Sequence, residues 1–282
     1  MKRTNTLSNV VTVAALAALA VGYTAVATRT HAAAAPLAAA AAQQQGNEFR
    51  WREGLAAGKV LEIKGVNGNV EATPSSSGEA EVVAVKSSRR GNAEDVRIEV
   101  VRHAEGVTIC AVYPNSGGRA NTCEPGNRGN MNVRNNDTEV EFTVRVPSGV
   151  RFNGRTVNGR VEANNLTADV DATTVNGNVE VTTTGLASAK TVNGSITVSM
   201  GNANWTDELE FKTVNGSIDL SMPASLSAEL EAKTLNGEIS TDFPLTVQGT
   251  FGRRHMRGTI GGGGRSLQLE TVNGSVNIRR AS

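Results

Sequence analysis

Thr174-Val175-Asn176-Gly177-Asn178-Val179-Glu180-Val181 decides the fold, because it recurs. Related copies read TVNGRVEA at 156–163, TVNGSITV at 191–198, TVNGSIDL at 213–220, TLNGEIST at 234–241 and TVNGSVNI at 271–278. An outlying VNGNVEA sits at 66–72. The repeated asparagines are Asn67, Asn158, Asn176, Asn193, Asn215, Asn236 and Asn273. From Asn158 onward the steps are 18, 17, 22, 21 and 37 residues, the last close to two of the others. Such a period is that of a solenoid, in which one supersecondary unit stacks on the next.

Within a copy, Asn-Gly is a strong turn signal, since both residues tolerate positive φ. The residues after it alternate. Ser217 and Asp219 face out while Ile218 and Leu220 face in, the period of a half-buried strand. A loop around Pro223-Ala224-Ser225 follows. A second alternating run then places Leu226, Ala228, Leu230 and Ala232 on one face and Ser227, Glu229, Glu231 and Lys233 on the other. One coil therefore holds at least two strands and two turns. Residues 150–280 are expected to form about six coils rising roughly 29 Å at about 4.8 Å per coil. Val161, Val179, Ile196, Ile218, Ile239 and Val276 are expected inside, with Arg160, Asn178, Ser195, Ser217, Glu238 and Ser275 outside. The asparagines should stack as a structural turn ladder of hydrogen-bonded amides. A polar binding stripe is the competing reading of that column.

The composition agrees. Aromatic residues are 4% of the 282, and glycines number 30, which suits thin coils better than a thick globular core. Lys2 and Arg3 precede an apolar run at 10–27, with small-residue cleavage sites at 25–27 and near 30–32. Residues 1–32 read as a signal peptide for export to the periplasm, outer envelope or exterior. An uncleaved segment would instead be a membrane tether. No cysteine lies in this segment to carry a lipid. Ala- and Gln-rich residues 33–48 read as a linker, and 49–282 as the folded domain. Without residues 1–32 the chain has 25 basic and 27 acidic residues, which gives no electrostatic case for nucleic acid. In an exported chain the two cysteines, Cys110 and Cys123, are expected to form a disulfide.

Phe49 and Trp51 open the domain and could cap the end of the stack, or form an aromatic patch for a partner. Strands are expected at 79–86 and 139–146, and a hairpin of 96–102 with 107–113. Residues 114–137 read as a loop. This N-terminal part is expected to add wider coils to the stack. The interval 237–273 reads as one degenerate coil with an inserted loop, whose basic residues 253–257 could meet an anionic surface.

No cofactor, metal or catalytic constellation is expected. Gly261–Gly264 lack the Gly-Lys-Ser/Thr of a phosphate cradle, and His31, His103 and His255 are scattered. Asn135-Asn136-Asp137 is a weak calcium candidate. Glu229 and Glu231 share an outward face, a spacing that does not separate catalytic carboxylates from surface charge.

The TVNG-x-[VI] strands, the opening F-x-W with LEIKGVNGNVEA, the central VTICAVYP and EFTVRVPSGV before the first regular coil resemble the bacterial putative-adhesin β-strand-repeat family of unknown function, also called toast-rack-like. The resemblance covers about 49–282. It implies an all-β, single-stranded β-helix or β-solenoid, right-handed, with a hairpin excursion near its N-terminal end. It also implies an envelope location and an adhesive or scaffolding role, and it supplies no catalytic residues. The leading expectation is thus a non-enzymatic, exported β-solenoid that binds a protein or polysaccharide of the envelope or surface. The alternatives are an envelope-stress or assembly scaffold that docks membrane partners, and a carbohydrate-active β-helix enzyme.

Overall fold

The computed structural model describes residues 41–115, 117–206, 208–247 and 254–281. The leader, the start of the linker, and Phe251, Gly252 and Arg253 lie outside the described residues. The strands in chain order are β1 (Ala41–Gln45), β2 (Glu48–Glu53), β3 (Val60–Lys64), β4 (Val70–Pro74), β5 (Ala80–Ser87), β6 (Arg97–His103), β7 (Gly106–Val112), β8 (Glu139–Val146), β9 (Arg151–Arg155), β10 (Val161–Leu166) and β11 (Val170–Thr173). There follow β12 (Val179–Thr183), β13 (Ala187–Lys190), β14 (Ile196–Met200), β15 (Glu208–Lys212), β16 (Ile218–Met222), β17 (Ala228–Lys233), β18 (Ile239–Thr241), β19 (Leu245–Val247), β20 (His255–Ile260), β21 (Ser266–Glu270) and β22 (Val276–Arg280).

These strands form two sheets. One runs β1-β2-β5-β8-β4-β10-β12-β14-β16-β22-β18, the other β19-β20-β17-β21-β15-β13-β11-β9-β3-β7-β6. Each coil gives one strand to each sheet. The parallel stack, read along its axis, is β7/β8, β3/β4, β9/β10, β11/β12, β13/β14, β15/β16, β21/β22 and β17/β18. Its ends are closed by antiparallel pairing: β5, β2 and β1 extend one sheet, β6 the other, and β20 with β19 finish the far end. β1 lies in the stretch read as linker.

Sequence order and stacking order differ at both ends. β3/β4 comes first in the chain yet sits second in the stack, between β7/β8 and β9/β10. β21/β22 comes last in the chain yet inserts between β15/β16 and β17/β18. The interval 237–273 is therefore not a degenerate coil in sequence. After β18 the chain makes the antiparallel β19–β20 turnback, then returns to fill a slot it had skipped. Trp205 shows why. Its Nε1 donates to Ser266 O at 2.9 Å, and Arg265 donates back from Nε to Trp205 O at 3.1 Å and from Nη2 to Asn204 Oδ1 at 3.1 Å. These bonds fasten the last coil to the loop before β15. Arg254 to Arg257, read as loop, are a turn residue and the start of β20.

The inward columns are buried. Val161, Val179, Ile196, Ile218 and Val276 are 0–1% exposed, and Ile239, in the end coil, is half-buried. Phe49 and Trp51, on β2, close the same core at the N-terminal end.

Gly68 and Gly159 have the expected positive φ, 114° and 158°, but the other five glycines of the repeat have a different cause. No asparagine of the ladder has positive φ, and glycines 177, 194, 216, 237 and 274 do not either. Each is needed because a Cβ would strike the next coil. At Gly216 it would lie 2.0 Å from Gly194 O, and at Gly274 2.0 Å from Gly216 O. The threonines that open each copy are buried and bond the same carbonyls. Thr174 Oγ1 donates to Gly159 O at 2.7 Å, Thr213 to Gly194 O at 2.8 Å and Thr271 to Gly216 O at 2.8 Å.

Candidate binding surface: the asparagine corner and its groove

Along one corner of the stack the asparagine amides form a continuous ladder. Asn236 Nδ2 donates to Asn273 Oδ1 at 2.8 Å, Asn273 to Asn215 at 2.7 Å, Asn215 to Asn193 at 2.7 Å and Asn193 to Asn176 at 2.7 Å. Asn176 donates to Asn158 and Asn158 to Asn67, both at 2.8 Å. Asn67 ends the run on Thr138 O at 3.4 Å. A primary amide has two donors and two lone pairs. Each interior rung uses one of each on its neighbours, which leaves one of each on a side chain that is exposed from Asn158 onward.

Beside the amides runs a row that the sequence reading passed over. Val157, Val175, Val192, Val214 and Leu235 are 37–59% exposed, and Val66 and Val272 continue the row half-buried. The corner thus carries an apolar ridge with a polar ladder at its side, repeating about every 4.8 Å, the interstrand spacing. The signal was present: the second residue of every copy is Val or Leu, at a position that points away from the core.

In the column expected to face outward, Arg160, Asn178 and Glu238 are exposed, and the side chains of Asn178, Ser195, Ser217 and Ser275 also bond the neighbouring coil. Asn178 Oδ1 accepts from Ser195 N at 2.9 Å, Ser195 Oγ from Ser217 N at 3.2 Å, Ser217 Oγ from Ser275 N at 3.2 Å and Ser275 Oγ from Glu238 N at 3.3 Å. Asn69 Oδ1 receives Arg160 N at 2.9 Å. These side chains are a second set of rungs.

At the Asn67 end of the ladder, the loop between β7 and β8 folds over the outer face of the β3 sheet. Cys110, on β7, is bonded to Cys123 in that loop. Lys64 Nζ donates to the carbonyls of Glu124, Gly126 and Arg128. Glu62, buried under the loop, accepts from Gly126 N at 3.0 Å and from Thr108 Oγ1 at 2.8 Å. Arg155 bonds Asn127 Oδ1 and stands 3.8 Å from Glu62 and 3.6 Å from Asp171. Burial lowers the Lys64 pKa, partly offset by nearby Glu62. Tyr113 donates to Thr138 O at 2.8 Å, and burial pushes its pKa up to about 12.

The loop walls a groove of about 820 Å³ against the ladder. Its sides include Asn67, Asn127, Asn130, Asn132, Asn135, Asn136 and Asn158, with Val66, Val157, Met131 and Val133. The ridge runs into it.

The other sequence candidates lie apart. Asp137 is occupied in holding 88–91, accepting from Ser88 Oγ at 3.0 Å, Arg90 N at 2.9 Å and Gly91 N at 3.1 Å. Ser88 above all, with those amides, lowers its pKa. Glu229 accepts from Thr259 at 3.0 Å, and Glu231 pairs with Lys233 and stands 3.5 Å from His255.

No curated protein matches the chain. Among solved structures, a putative cell adhesion protein of Clostridium sporogenes aligns at 11% identity, TM-score 0.43, over 83% of this chain and 100% of its own. A putative adhesin of Bacteroides fragilis aligns at 12% identity, TM-score 0.27, over 84% and 98%. One of Parabacteroides distasonis aligns at 9% identity, TM-score 0.21, over 84% and 98%. The family model described as Toastrack DUF4097 matches residues 56–279, so the chain belongs to the Toastrack DUF4097 family.

Proposed function

We propose that the protein is a non-enzymatic, exported, adhesin-like scaffold of the cell envelope, and that the asparagine corner is its binding surface. The single observation that carries this is the unbroken ridge from Val66 to Leu235, flanked throughout by amides with unused hydrogen-bonding capacity. A shallow, periodic surface suits a long polymer or a protein face, whereas a small molecule needs a concave pocket. The ladder bonds hold the amides in one orientation, so a ligand need not order them.

The test is a triple variant, Val175→Lys, Val192→Lys and Val214→Lys. These positions are already over one-third exposed, so lysine stems can lie along the surface and leave the melting temperature near that of the parent. Adhesion of cells displaying the variant should fall well below that of the parent. A control with Glu180→Lys and Thr197→Lys, on the flat face of the neighbouring sheet, should adhere normally. Unimpaired adhesion of the ridge variant together with loss in the control would move the surface to the sheet face.

A further inference from the structure

Resting on that reading of the corner, we infer that the groove at the Asn67 end binds an acidic saccharide, a uronate-type unit of a linear polysaccharide whose neighbouring units lie along the ridge. The groove and ridge are one surface, because Val66, Asn67, Val157 and Asn158 line the groove and also begin the two rows.

Three observations select the ligand class. The first is hydrogen-bonding type. Each interior rung offers one donor and one acceptor side by side, which matches a hydroxyl group, itself both donor and acceptor. The valine row beside it offers apolar surface to the C–H face of a sugar ring. The second is periodicity. Coils repeat at about 4.8 Å, whereas an extended peptide laid along the axis repeats its side chains on one face at about 6.8 Å, so a polypeptide falls out of step within a few coils. A linear pyranose polymer, with one ring per repeat, stays close to step.

The third is charge. Among the described residues, the charged ones that line the groove are Lys64, Arg128 and Arg155, with no carboxylate. Lys64 is committed to three loop carbonyls, and Arg155 to Asn127 and the acids behind it. Arg128 is exposed and, among the described residues, its side chain makes one hydrogen bond, from Nε to Pro125 O at 3.4 Å. Its guanidinium therefore keeps the paired donors that fit a carboxylate in bidentate fashion. The disulfide and the Lys64 clamp hold the loop that carries it.

The experiment is calorimetric titration of the purified full chain with hexagalacturonate, neutral cellohexaose and a short polyglutamate, at about 0.15 M ionic strength. Hexagalacturonate should bind, cellohexaose about tenfold more weakly, and polyglutamate not measurably. Arg128→Ala should weaken hexagalacturonate about tenfold, leaving cellohexaose affinity and melting temperature unchanged, because its side chain supports no other part of the fold. Arg128→Lys should recover only part of the loss. The valine triple variant should weaken neutral cellohexaose, which loses the apolar row; its three lysines attract the anionic sugar, so hexagalacturonate is not its readout. No binding of hexagalacturonate, equal binding of polyglutamate, or an Arg128→Ala variant equal to the parent would each overturn the inference. If the valine variant loses cell adhesion while no sugar binds, the saccharide assignment falls and the corner reading stands. If ultracentrifugation shows a dimer that the valine variant abolishes, the corner is occupied by a second copy and both fall.

Discussion

Asn273 donates from Nδ2 to Asn215 Oδ1 at 2.7 Å across 58 residues of chain, although Asn236 lies between them in sequence. Asn236 instead donates to Asn273 from the other side. The ladder passes through the inserted coil without a break, so every interior rung has two amide neighbours.

Asn215→Ala removes the donation to Asn193 and the acceptance from Asn273. The rungs are partly solvated, so the expected loss is about 1–2 kcal/mol. Urea denaturation monitored by circular dichroism measures it. A midpoint equal to the parent's would show that the column adds nothing to stability.

Gly216→Ala should cost about 3 kcal/mol or more, since its Cβ would sit 2.0 Å from Gly194 O and force two coils apart. Gly54→Ala is the control: its Cβ meets nothing within 4 Å and its φ is not positive, so it should change stability by no more than about 0.5 kcal/mol. Equal melting temperatures for the two variants would contradict the steric account of the repeat glycine.

Tyr113 makes stability fall in alkali. Its folded pKa is raised to about 12 from 10.0, so the folded state holds the proton that the unfolded state releases. The contribution is whole below pH 10.0 and is lost as pH rises through 12, about 2–3 kcal/mol in all. Lys212, whose pKa is raised chiefly by its bond to Glu210, loses stability in the same direction. Lys86, lowered by burial, works oppositely as pH rises toward 10.5. The comparison that isolates the phenol is therefore parent against Tyr113→Phe between pH 9 and 12. Across that range the parent should lose about 2 kcal/mol relative to the variant. A constant gap would mean that the phenol is not held protonated.

Cys110 and Cys123 are 13 residues apart, and a closed loop of about that size contributes roughly 3 kcal/mol. Reduction should lower the melting temperature while far-ultraviolet circular dichroism keeps its β character, because the paired strands are built without the loop. Hydrogen exchange should speed up in 120–132 and stay slow in β12, β14 and β16. Uniform acceleration throughout would mean that the loop is integral to the stack.

The two faces of each coil were legible because alternation fixes which side chains go inside: Val179 and Val181 in, Glu180 out. β8 was legible for the same reason. The β6–β7 hairpin was legible from two β-rich runs around Glu105-Gly106, although β7 is buried on both faces. Stacking order was not. Each TVNG copy presents the same carbonyl, amide and threonine to its neighbour, so any copy can follow any other. Side chains outside the repeat distinguish the two places where order departs from sequence: Trp205 and Arg265 bond across at one end, and at the other the Tyr113 hydroxyl bonds Thr138 O and Asn67 N. The groove was not legible because Lys64, Glu62 and Arg155 meet 122–130 only after the loop folds back across the sheet. The apolar ridge was hidden by habit: a valine in a turn reads as core, and here it stands outside.

The inserted last coil also decides how the molecule carries a pull. β22 is bonded to β16 on one side and β18 on the other, and β21 likewise to β15 and β17. A pull directed along β22 therefore meets two rows of hydrogen bonds in shear, one to β16 and one to β18, where a strand at the edge of the stack would meet one.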